Sequence, residues 1–176
     1  MAARHTASYS AGMSSAAQRR EQILEGITAA AELARRKREE IALIAVSKGR
    51  PAEAIEPLVA AGQRDFGESR VQEALAKWPS LLARHPGVRL HGIGRLQSNK
   101  AGEAVTLFDV IHSLDRASLL NALVAAGEKA DRFPAVYVQV NIGEEEQKGG
   151  CAIGEVGSLV KAVRASPLPL AGLMAI

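Results

Sequence analysis

Lys48 follows the apolar run in the stretch "IALIAVSKGR", and an amine delivered by the end of an apolar strand is a candidate nucleophile toward carbonyl carbons. Such an amine attacks only when unprotonated, a state that apolar walls or a second cation favour, and Arg50 lies two residues further on. The alternative is that Lys48 is simply the first solvated residue after a strand. "GIGRLQSNK" (Gly92 to Lys100) sets two glycines after a strand-like run, which lets backbone N–H groups approach a phosphate. It lacks the third glycine of a dinucleotide fingerprint and the Gly-Lys-Ser/Thr ending of a P-loop, so it reads as a tight turn. His5, His85, His91 and His112 do not recur at metal-ligand spacing, and Cys151 has no second thiol to work with. His91 lies inside a strand pattern, where it can pack or hydrogen-bond as readily as catalyse. Glu144, Glu145 and Glu146 read as a solvated loop, and no serine occupies a nucleophile elbow. The pattern does not support hydrolase, nucleotide or metal chemistry.

The elements that must position these residues alternate along the chain. Ile23, Ile27, Ala30 and Ala34 recur at helical spacing, which predicts a first helix to about Glu39. The unbroken apolar run from Ile41 to Val46 predicts a strand covered on both faces. Pro51 and Gly62 bracket the next helix. "RDFG" (Arg64 to Gly67) is a short strand, and Ser69 with Gln72 is a possible capping box for a helix through Trp78. Strand patterns return at Val88 to Gly94, Asp109 to Leu114, Ala135 to Asn141 and Leu170 to Ile176. Helical stretches at Lys100 to Leu107, Ala117 to Lys129 and Glu155 to Ala165 separate them. Six strands in alternation with helices predict an α/β fold with a parallel sheet, either doubly wound or a (β/α) barrel. In both, sites gather at the carboxyl ends of the strands, where Lys48, Glu68, Gly94, Ser113, Asn141 and Met174 fall.

Composition narrows the classes further. A chain of 176 residues that is 47% hydrophobic suits one domain with a real core. The net charge of +3 comes from basic residues interleaved with acids, as in "RRKREE", and aromatics are only 3%, so no nucleic-acid partner is expected. The single cysteine excludes an internal disulfide and fits a reducing compartment. No apolar run approaches the roughly 18 to 20 residues that span a bilayer, so no membrane partner is expected. Residues 1–14 read as a disordered N-terminal tail rather than an organellar transit peptide. A chain stopping at Ile176 inside an apolar run reads as truncated.

"AVSKGRP", "DFGESRVQEALAKW", "LHGIGRLQSNK", "VIHSLDR", "VQVNIGEEEQKGG" and "LAGLMAI", taken in this order, resemble the pyridoxal phosphate homeostasis family. Its members look like the barrel domain of alanine racemase without the second domain. The resemblance runs from Gln22 to Ile176. It implies a (β/α)8 TIM-barrel-like fold, present here with about six of eight strands, over a domain at 15–176 that binds pyridoxal 5′-phosphate (PLP). It also implies that Lys48 holds PLP as a Schiff base, the internal aldimine. Ser69, His91, Ile93, Ser113, Asn141 and Met174 would line the cofactor ring, and Lys148 would take part in exchanging it. A non-catalytic cytoplasmic carrier follows, with PLP as ligand and PLP-dependent apoenzymes as possible recipients.

This chain departs from the family at several points. Ser69 and Arg70 stand where asparagine and tyrosine are usual, Gly92 replaces a phenylalanine, and Gly49-Arg50 replaces Thr-Lys. Arg50 keeps the charge but cannot become an amine nucleophile. Relatives continue through two more strands carrying Ser/Gly and Arg-Gly segments that look like the phosphate cradle, which implies weaker PLP binding here and two open sheet edges. A PLP-dependent amino-acid racemase and an inactive fragment remain the alternatives.

Overall fold

Ser15 starts the first helix with a reciprocal cap. Its Oγ accepts from the Gln18 N–H at 3.2 Å, and Gln18 Oε1 accepts from the Ser15 N–H at 2.7 Å. A computed structural model describes residues 15–145 and 147–176; the predicted tail at 1–14, with His5, and Glu146 of the acidic run lie outside the described residues. Helix α1 spans Ala16–Leu33 and stops before the predicted Glu39. Arg35 takes the left-handed φ of 53°, which no continuing helix allows, and a single 3-10 turn at Arg38–Glu40 follows. The chain divides into two compact units, one ending at Ile41 and the other running from Ala42 to Ile176.

The second unit is a strict alternation. It runs β1 (Ala45–Val46), α2 (Ala52–Ala60), β2 (Asp65–Glu68), α3 (Val71–Arg84), β3 (Arg89–Gly92), α4 (Ala101–Leu107), β4 (Val110–Leu114), α5 (Ala117–Ala130), β5 (Ala135–Gln139), α6 (Val156–Arg164) and β6 (Leu170–Met174). The six strands form one sheet in the order of the sequence, each pair parallel. Sequential order with helical crossovers is the winding of a (β/α) barrel; a doubly wound sheet would reverse its order part-way. Among the described residues β1 and β6 each have one strand neighbour, so the sheet is open.

The two faces of the sheet differ. Phe66, Leu90, Ile111, Val136 and Val138 point to the helices and pack with Trp78, Leu119, Leu123 and Val163, all buried. The Phe66 and Trp78 rings lie 5.1 Å apart, which fixes α3 against β2. Alternation along the strands sends Val46, Asp65, Gly67, His91, His112 and Tyr137 to the opposite face. On that face Val46 is 51% exposed. The apolar run at Ile41 to Val46 is therefore not covered on both sides, and only Ala45 and Val46 pair with β2.

The predicted cap at Ser69 is also corrected. Arg70 occupies the N-cap of α3 and makes no side-chain cap bond, while Gln72 Nε2 donates to Glu103 at 3.2 Å instead. The helix continues through Pro79 to Arg84, beyond the expected end at Trp78.

Candidate functional site

At the carboxyl end of β1 the backbone is held on both sides of an exposed lysine. Ser47 is buried, and its N–H donates to the Gly67 carbonyl at 3.0 Å, extending the β1–β2 pairing by one residue. Gly49 follows with φ of 68°, a conformation glycine adopts without strain, and its N–H donates to Glu73 Oε1 at 2.5 Å. Lys77, whose side chain is only 9% exposed, reaches up from α3. Its Nζ donates to the Ser47 carbonyl at 2.9 Å and the Arg50 carbonyl at 3.0 Å, so one ammonium spans the turn that carries Lys48. That ammonium lies 2.8 Å from Glu68 Oε1 and 3.1 Å from Glu73 Oε1. The fully buried Glu68 also accepts from Ser47 Oγ at 2.6 Å and Trp78 Nε1 at 2.9 Å. The Gly49 N–H, and after it Lys77, hold the Glu73 carboxyl below the usual carboxylate range. The Lys48 side chain itself is exposed.

A second polar row crosses the face turned away from the helices. His91 Nε2 lies 2.9 Å from Asp65 Oδ1, and its Nδ1 lies 2.9 Å from His112 Nε2. The His112 ring stacks on Tyr137 with centroids 4.5 Å apart. Burial, and then the charge of His91, bring His112 down to about 4, so it is neutral at pH 7. One N–H is shared between the two facing ring nitrogens, and His91 Nε2–H donates to Asp65. Arg89 Nε donates to the same Asp65 oxygen at 2.8 Å.

The other predicted residues divide between surroundings. Ile93 shares the face of His91, since its side chain lies 3.1 Å from where a Cβ on Gly67 would stand. Met174 ends β6 in register with the buried Gln139. Ser69 is half-buried after β2, and its carbonyl lies 2.1 Å from an ideal Cβ on Gly94, so that glycine exists to let the β2 and β3 loops touch. Ser113 is buried in a different place. With Phe108 and Ile111 it borders a void of about 10 Å³, and its hydroxyl has no hydrogen-bond partner among the described residues. Asn141 clamps its own loop, donating from Nδ2 to the Glu145 carbonyl at 2.9 Å and accepting the Glu145 N–H at 3.2 Å. Lys148 pairs with Glu145 at 2.6 Å.

Sequence reasoning passed over Glu68, Glu73 and Lys77 as a unit and gave no role to Asp65, His112 or Tyr137. A signal existed for the first set. Glu68 shares the strand face of Phe66 and must be buried with it, which demands a cation, and Lys77 sits one helical turn from Glu73.

Residues 21–176 match the family described as alanine racemase, N-terminal domain. The pyridoxal phosphate homeostasis protein of Escherichia coli strain K12 is 40% identical over 168 residues, which cover 88% of this chain and 67% of the relative. That of Pseudomonas aeruginosa is 40% identical over 167 residues, covering 93% of this chain and 71% of the relative. The solved structure of PipY of Synechococcus elongatus with PLP bound has a TM-score of 0.71 at 38% identity, covering 85% of this chain and 69% of that one.

Proposed function

The chain belongs to the alanine racemase N-terminal domain family, and within it to the pyridoxal phosphate homeostasis proteins; from that premise we propose that it binds PLP in intracellular PLP homeostasis, with Lys48 as the anchor. The observation that carries the reading is the immobilised turn at Ser47–Arg50. It fixes the Lys48 backbone at a strand end while leaving the amine open to an incoming ligand. PLP, when bound, supplies an aldehyde able to condense with an amine. These residues fit that end of the cofactor, since a strand tip orients the amine and its exposure admits the aldehyde. His91, Ile93, Met174, Ser69, Ser113 and Asn141 are the proposed cofactor contacts, His91 and Ile93 sharing one strand face.

A carrier rather than a racemase is the favoured role. Racemisation needs a base positioned at the substrate α-carbon. The two histidines and Asp65 on that face are tied to one another, and Tyr137 stacks on His112. Delivery to PLP-dependent apoenzymes in the cytoplasm follows from this role. No helix among the described residues is long and apolar enough to cross a membrane. Absorbance titration with PLP tests the reading: a saturable spectral change that Lys48→Ala loses is expected, and an identical change in the variant refutes it. Incubation with D- or L-alanine and PLP, followed by circular dichroism, is expected to show no interconversion; turnover would favour the enzyme.

A further inference from the structure

A second cavity, of about 550 Å³, opens among the loops after β2, β3 and β4, and four cations line it: Arg70, Arg95, Lys100 and Arg116. Two of these are fixed parts of the wall. Arg116 donates to the Leu96 carbonyl at 3.0 Å and to Ser98 Oγ at 3.2 Å, and its charge is answered by Asp115 at 2.5 Å. Lys100 is paired with Glu103 at 3.0 Å. The guanidinium groups of Arg70 and Arg95 have neither an ion pair nor a hydrogen bond among the described residues. Arg70 has only the more distant charge of Glu73 near it, so both guanidinium groups keep their donors for the cavity. The first N–H groups of the fourteen-residue α3 adjoin it, because Arg70 at the N-cap offers them no side-chain acceptor. The remaining wall is chiefly amide and hydroxyl, including Gln97 and Ser98, and holds no aromatic ring.

We infer that this cavity is a binding site for a small phosphomonoester with a polar, non-aromatic body. A phosphate dianion matches the two guanidinium groups that make no ion pair or hydrogen bond, which present paired donors to its oxygens. Amides and hydroxyls suit the hydroxyl groups of a polyol, while the lack of a ring surface disfavours a nucleobase. Lys48 is not among the residues that line it, although Ser69 is.

Isothermal calorimetry on the whole chain at low ionic strength tests this, with glycerol 3-phosphate as ligand and glycerol as control. Neither probe carries an aldehyde, so the readout is independent of the reading of Lys48. One saturable site for glycerol 3-phosphate is expected, with none for glycerol. Inorganic phosphate should compete, and raising salt should weaken binding. Arg70→Ala with Arg95→Ala should weaken it at least tenfold, as expected of about one lost charge-assisted hydrogen bond. Both side chains are exposed and unpaired, so the fold should survive, as circular dichroism will show. Arg70→Lys with Arg95→Lys should restore most of the affinity. Absence of saturable binding, or unchanged affinity in the double alanine variant, would overturn the inference.

Discussion

Replacing Lys77 by methionine keeps the length of the side chain and removes its charge, at a position where that charge has four acceptors within 3.1 Å. Glu68, fully buried, would lose its cation and keep only Ser47 and Trp78 as donors. Breaking one side of a buried ion pair costs about 3 to 5 kcal/mol, because the abandoned charge stays in a poor solvent. Glu73 is only partly buried, with its side chain 33% exposed, and contributes less to this figure. Set against a typical total stability of about 5 to 15 kcal/mol, the loss should lower the melting temperature by about 10 °C for a chain of this size. Adding Glu68→Gln removes the stranded charge, so the double variant should be more stable than Lys77→Met alone, with a coupling of about 2 kcal/mol. Urea and thermal denaturation followed by circular dichroism read both numbers. A loss below about 1 kcal/mol for Lys77→Met, or simple additivity in the double variant, would refute the claim that a buried ion pair holds the Lys48 turn.

The depressed His112 makes stability depend on pH. Its folded value of about 4 lies below the ordinary 6.5, so the unfolded chain binds the extra proton first. The stability linked to it is complete above about pH 6.5 and is lost as pH falls toward 4, amounting to about 1 to 2 kcal/mol once the half-exposed ring is discounted. His112→Phe should flatten that part of a stability-versus-pH profile, and an unchanged slope would contradict the depressed His112. Gly94→Ala drives a methyl group to 2.1 Å from the Ser69 carbonyl, so a loss of about 3 kcal/mol in urea denaturation is expected. Gly26→Ala, with nothing within 4 Å of its added Cβ, should stabilise α1 by about 1 kcal/mol.

The period of the chain was legible because both its signals are local. Apolar runs bounded by turn residues gave all six strands, and their alternation with helices gave a parallel sheet wound in one direction. Boundaries were less legible. The run at Ile41 to Val46 looks like a buried strand, yet a strand exists only where β2 offers hydrogen bonds, and that depends on residues some twenty positions later. Ser69 and Gln72 have the spacing of a capping box, but tertiary contacts won: Gln72 turns to Glu103 on α4, and the Ser69 backbone packs on Gly94. The position of Lys48 could be read from its strand, whereas the Lys77 ammonium that braces it comes from thirty residues away and through a backbone carbonyl, for which no side-chain pattern exists. The row from Asp65 to Tyr137 is equally silent in sequence, because it draws on four successive strands.

Borohydride reduction in the presence of PLP, followed by peptide mass spectrometry, addresses the central claim directly. The account predicts one dominant pyridoxyl modification, on Lys48, near one per chain, and its loss in Lys48→Ala. Modification spread evenly over the exposed lysines, or undiminished in that variant, would contradict it.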